Sequence, residues 1–140
     1  MEWFVKAFLK ASVIWLGVGV TLGVAMAVHP QWVIYRPAHA HMNLLGFVTM
    51  MIYGVAYHVV PRFTGHQIHA RRVAEVQWWL ANAGLVLMVI GFWLAPHAVP
   101  MAPFVLGTGG VLSAAAAYCF AYNIWRTIDG EHKPVGRVIS

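Results

Sequence analysis

Residues 36–47 read RPAHAHMNLLGF and set Pro37 just ahead of two histidines, His39 and His41, at the mouth of a long apolar run. Proline suits the first turn of a helix, where its missing N–H costs nothing and its φ is already set. Both histidines therefore fall in the first two turns of a helix entering an apolar layer. At about 100° per residue, positions two apart diverge by roughly 200°. The two imidazoles leave the helix on nearly opposite sides, whereas histidines four apart on one face chelate a single ion. If both are ligands, they serve two separate centres.

The rest of the chain says what that layer is. Hydrophobic residues make up 61% of the 140 and charged residues only 9%, against about a quarter charged in soluble domains. From Val76 to Trp125 there is no Asp, Glu, Lys or Arg. A hydrocarbon core about 30 Å thick takes about 20 apolar residues per helical crossing. The chain supplies four such runs, at roughly 5–28, 37–60, 72–95 and 101–127. The expected fold is an all-α integral membrane protein, a four-transmembrane-helix bundle forming one domain over residues 1–140 with no soluble domain attached. Between the runs, VHPQWVIYRP carries two prolines and a charge and cannot cross lipid as continuous helix. PRFTGHQIHARR is polar and basic, APHAVPMAP is proline-rich and uncharged, and the tail TIDGEHKPVGRVIS is polar and expected to fray.

With four crossings, the N-terminus, the second loop and the C-terminus share a side. That side holds Lys6, Lys10, Arg62, Arg71, Arg72, Arg126, Lys133 and Arg137, and only Arg36 lies opposite. The asymmetry places both termini in the cytoplasm. The net charge of +5 thus reflects topology, and no nucleic-acid partner is expected. Trp32, Trp78, Trp79, Trp93 and Trp125 sit near run ends, as interfacial tryptophans do. The AMA at residues 25–27 resembles a leader cleavage site, but the run before it is longer than a leader core and is read as a retained span. The single Cys119 lies in the fourth run and has no cysteine to pair with in this chain.

Most of the other histidines have plain roles. His66 and His69, three apart in the basic loop, are expected to meet water or lipid phosphate rather than a metal, which would need a third ligand. His132 belongs to the tail, and His29 and His97 lie in outer loops. His58 closes the second run in a positive or hydrogen-bonded role at a helix C-terminus. For His39 and His41 the choice lies between meeting headgroups at a helix mouth and ligating a metal centre. Imidazole binds zinc, copper and iron, but so few carboxylates and thiols cannot close a hydrated-metal site in low dielectric. A haem brings its own equatorial nitrogens and asks only for axial ligands and apolar walls. Gly46, seven residues after His39, then falls on His39's face and is expected to leave room for a flat macrocycle, with Leu45 and Val48 as wall below His41. Gly19 and Gly23 are expected to serve close helix packing.

The segment AHAHMNLLGFVTMMIYGVAYHVVPRFTG resembles the tenth helix of the catalytic subunit of haem–copper oxidases, especially the cbb-type enzymes and their nitric-oxide-reductase relatives. The shared pattern is His-x-His, a glycine before an aromatic residue, a further glycine, a tyrosine and a Pro-Arg exit. Here these are His39, His41, Gly46–Phe47, Gly54, Tyr57 and Pro61–Arg62. The likeness continues through VAEVQWWLANAGLVLMVIGFWLA, about half the chain in all. Small haem-containing membrane proteins of the nitric-oxide-response type carry a similar histidine pair.

In the oxidases the first histidine of the pair holds the high-spin haem and the second the low-spin haem. The latter's other axial ligand lies in an R-P-x-H motif of another helix, which RPAH, residues 36–39, also resembles. The resemblance therefore implies a four-helix chain equivalent to one of the family's three helical arcs. Such a chain would assemble as a homotrimer with haem b between neighbouring second helices, on His39 of one protomer and His41 of the next. Arg36, the only outer cation, becomes the candidate propionate partner, and Asn43 is placed to bond a neighbouring helix or the haem edge. The family's copper-site histidines have no counterpart in the third run, so copper is not expected, and whether the chain is an enzyme stays open. The implied function is a b-type cytochrome of the bacterial inner membrane, transferring electrons with a redox partner or quinol. The alternatives are a nitric-oxide- or oxygen-binding sensor or reductase with one open axial site, and a cofactor-free assembly or partner subunit.

Overall fold

The structure, a computed structural model, describes residues 1–130. The expected tail feature with His132, Lys133 and Arg137 lies outside the described residues. Four helical segments are long and apolar enough to cross a membrane, Trp3–Val28, Pro30–Thr64, Arg71–His97 and Ala102–Asp129. The first is helix α1 (Trp3–Val28). The second is composite: a 3₁₀ segment (Pro30–Tyr35), helix α2 (Arg36–His41), a π-helical stretch (Met42–Thr49) and helix α3 (Met50–Thr64). Helix α4 (Arg71–Leu94) runs into a 3₁₀ turn (Ala95–His97), and α5 (Ala102–Asp129) closes the bundle. No strand occurs among the described residues.

The second span departs most from a simple helix. That helix passes Pro61 and ends only at Thr64. Pro61 has no N–H to close the preceding turn onto Tyr57 O, and the turns around it carry two side-chain bonds to neighbouring carbonyls. Arg62 Nη1 donates to His58 O at 2.6 Å, and Thr64 Oγ1 to Val60 O at 3.0 Å. Gly65 then stops the helix at φ 71°, in the left-handed region that closes helix C-termini. The π-helical stretch was not foreseen. Its i→i+5 bonding is reinforced by Thr49 Oγ1, which donates to Leu44 O, five residues back, at 2.8 Å.

Helix packing uses aromatic rings at one end and missing side chains elsewhere. Phe4 and Phe8 of α1 meet Tyr53 and Tyr57 of α3 in edge-on and stacked contacts, with Leu85 of α4 and Ala116 of α5 in the same core. Helices α4 and α5 approach backbone to backbone: a Cβ on Gly84 would stand 2.7 Å from Ser113 N, and one on Gly109 2.7 Å from Gly84 O. Small residues let helices approach closely where no hydrophobic effect drives them together. A second, smaller core of Leu22, Tyr35, Ala38 and Met42 supports the histidine end. Only 11–28% of each span's most apolar window is buried within the chain. The remaining apolar faces, such as Val13, Ile14 and Val18 on α1, suit lipid or protein neighbours rather than water.

Among the described residues the start of α1, the second loop and the end of α5 gather at one end. Arg71 pairs with Glu2, and the loop of residues 65–70 is strapped to α5. His69 N donates to Thr127 Oγ1, Ala70 N to Asn123 Oδ1, and the His66 ring bonds Thr127 O through Nδ1. His66 and the His69 ring, 3.4 Å from the Tyr122 hydroxyl, therefore brace a loop.

Candidate functional site

The opposite end holds the histidine pair. His39 points into a trough on α1, with its Nδ1 2.8 Å from Gly19 O. A carbonyl only accepts, so Nδ1 bears the ring proton and Nε2 keeps its lone pair. The trough exists because side chains are missing. A Cβ on Gly23 would stand 2.8 Å from His39 Cε1, and one on Gly19 2.7 Å from Asn43 Nδ2. Gly19 and Gly23 thus do more than pack helices: they seat the His39 and Asn43 side chains.

His41 leaves the same turn toward α4. Its Nδ1 lies 2.8 Å from Pro37 O, which again puts the proton on Nδ1, and its ring sits 4.7 Å from that of Phe92. One imidazole meets α1 and the other α4. Both are half-buried. Two imidazoles with Nδ1 tied to backbone carbonyls, in contact with two different helices, are equipped to offer Nε2 of the neutral ring to two different acceptors.

Three other expected site residues fare differently. Asn43 donates from Nδ2 to His39 O at 2.8 Å, so its amide braces the turn that carries the histidine. Gly46 does not open space for a macrocycle. It is buried, and a Cβ there would lie 2.6 Å from Trp15 Cβ and 2.9 Å from Leu85 Cδ2. The expectation assumed a uniform helical step from His39 to Gly46, and the wider π-helical turn breaks that phase. Arg36 is exposed and makes no hydrogen bond among the described residues, which leaves its guanidinium available at the mouth of the span.

Two polar groupings escaped the sequence reading. At the histidine end, Tyr35 stacks on Trp93 with ring centroids 4.0 Å apart and shares a 3.0 Å hydrogen bond with His97 Nε2. Toward the basic end, Tyr57 donates to Gln77 Oε1 and accepts from Asn123 Nδ2 at 3.2 Å, in full burial. The signal for the second was present: Gln77 and Asn123 are amides inside uncharged runs, where polar side chains are costly and seldom idle. Among the described residues no three His, Cys, Asp or Glu side chains converge as a metal site. Metal binding at His39 or His41 then calls for further ligands from outside this set.

Comparison with known proteins identifies the family. The family described as Cytochrome C and Quinol oxidase polypeptide I matches residues 31–130, which include every residue of the site on the second span. The cbb3-type cytochrome c oxidase subunit CcoN1 of Stutzerimonas stutzeri is 27% identical over 87% of this chain and 32% of its own length. Cytochrome c oxidase subunit 1 of Rhodobacter capsulatus is 24% identical over 80% of this chain and 25% of its own. The chain thus spans a third or less of the length of these relatives. With most of its length matched, the chain belongs to the cytochrome c and quinol oxidase polypeptide I family, as an all-helical, multi-pass membrane protein.

Proposed function

We propose that the protein is a b-type cytochrome of the bacterial inner membrane, with both termini cytoplasmic, that carries electrons on haem b held between protomers of a homotrimer. The observation that supports this most is the shared anchoring of His39 and His41. Each gives Nδ1–H to a backbone carbonyl, which fixes the tautomer and raises the basicity of Nε2 toward a metal. The donor set fits haem: two oriented neutral imidazoles stand among apolar and aromatic side chains, with no cluster of acidic or thiol ligands among the described residues to hold a bare ion.

Within one chain the two rings face away from each other, so two imidazoles on one haem require His39 of one protomer and His41 of another. Such a heterologous contact closes into a ring when the rotation allows. A haem with both axial positions filled supplies a one-electron couple and no site for substrate. The chain's part is to orient the two Nε2 atoms, to keep water away with Trp15, Phe92 and their apolar neighbours, and to offer Arg36 to a propionate. A lone chain gives only one imidazole to a haem, and this favours a second reading, a nitric-oxide- or oxygen-binding sensor or reductase with an open position.

The test is a reduced-minus-oxidised spectrum with a haem-to-protein ratio and a carbon monoxide addition. A trimer with bridging sites gives a ratio of about one haem per protomer and sharp bands that carbon monoxide leaves in place. A large carbon monoxide shift favours the second reading, and a colourless protein ends both and leaves a cofactor-free partner subunit.

A further inference from the structure

The basic end contains a cavity of about 490 Å³ between the start of α1, the end of α3, the second loop and the first turn of α4. We propose that this cavity binds a phosphate-bearing anion, either the headgroup of an anionic phospholipid or inorganic phosphate. It lies nineteen positions along the span from His39, about 28 Å at 1.5 Å per residue, and does not depend on the haem reading.

The charged and titratable groups around it are few and their roles are assigned. Arg62 is pinned to its own helix, with Nη1 2.8 Å from His58 Nδ1 and 2.6 Å from His58 O. A guanidinium has five N–H donors in a fixed fork, so those not on Nη1 stay available along the cavity wall. Because His58 accepts at Nδ1, its proton sits on Nε2 and adds a further donor. Arg71 contributes a second guanidinium, answered by the carboxylate of Glu2. Gln67 and His66 complete the polar lining. Two permanent cations face one carboxylate, which leaves a positive cavity of a size to admit a phosphate group.

The start of α4 strengthens the case. This 24-residue helix opens on Arg71 and Arg72, with no acidic residue in its first turn and no side chain capping it. Two cations on the positive end of a helix dipole repel it, and an anion drawn into the adjoining cavity relieves that repulsion while meeting free backbone N–H groups. Basic pockets between helices at the cytoplasmic face suit anionic lipid headgroups, and the charge asymmetry of this chain assigns that face to this end.

The test uses the full chain in phosphatidylcholine nanodiscs, with and without cardiolipin. Lipid retention is read by native mass spectrometry, and affinity from the thermal midpoint during titration. Cardiolipin is expected to be retained by the chain and to raise the midpoint saturably. Arg62→Gln is expected to weaken binding about tenfold through loss of a charge-assisted contact. Arg72→Gln, which removes the same charge from a residue that does not line the cavity, is expected to change it less than about twofold. Glu2→Gln removes the competing carboxylate and is expected to tighten binding, a readout that survives if an arginine variant does not fold. Inorganic phosphate titrated into pure phosphatidylcholine discs separates the sources: a saturable midpoint shift assigns free phosphate, and cardiolipin retention without that shift assigns the headgroup. Equal losses for Arg62→Gln and Arg72→Gln, no effect of Glu2→Gln, or a response to neither phosphate source would overturn the proposal.

Discussion

At the scale of single residues, what separates the paired histidines from His58, on the same span, is the partner of Nδ1. His39 and His41 give their proton to carbonyls, whereas His58 receives one from Arg62 and so presents the opposite tautomer. We therefore expect His39→Ala and His41→Ala each to lower haem retained per protein at least tenfold, and His58→Ala to leave the Soret band unchanged. Gly23 offers a finer test. A methyl group there meets the His39 ring at 2.8 Å, while one on Gly17 meets nothing within 4 Å. Gly23→Ala should reduce haem occupancy and cost about 1–3 kcal/mol through overpacking, and Gly17→Ala should do neither, as haem content and thermal unfolding will show. The histidine pair was legible because a spacing of two on a helix is a local fact. The seat made by Gly19 and Gly23 was not, since it depends on which face of α1 meets α2 and no local pattern encodes that.

At the scale of elements, the second span departs most from an ideal helix, and there the sequence was least readable. Runs of apolar residues look alike whether hydrogen bonds close at i+4 or i+5, so the phase shift that turns Gly46 to Trp15 and Leu85 left no mark on composition. Pro61 signalled a helix end, but the helix runs on to Thr64 and stops where Gly65 turns left-handed. The strap between α3, α4 and α5 carries a prediction at this scale. Asn123 meets Ala70 N and Ala70 O at 2.9 and 3.0 Å and donates to Tyr57 Oη as well. Asn123→Leu leaves a buried backbone pair and a hydroxyl short of partners, each at a cost of about 1–3 kcal/mol. The expected outcome is a lower thermal midpoint and faster proteolysis within residues 65–70. Haem spectra should stay unchanged, because the histidines lie at the far end of the bundle.

At the scale of the whole molecule, the question is whether the two imidazoles of one haem come from one chain or two. Their attachment to opposite neighbours, α1 through Gly19 and α4 through Phe92, argues for two. The apolar faces that remain outside the bundle leave room for such contacts. Mixing two defective chains decides the matter. A His39→Ala protomer still carries His41, and a His41→Ala protomer still carries His39, so neither alone completes a bridging site. In a ring assembled from equal amounts of both, each interface draws its His39 side and its His41 side independently. About one interface in four then has both imidazoles intact. Co-expression should therefore recover about a quarter of wild-type haem, in particles whose detergent-corrected mass corresponds to three chains. If haem were held within one protomer, each site would remain broken whatever its neighbours, and the mixture would stay as pale as its components. A monomer that retains six-coordinate haem would contradict the ring directly.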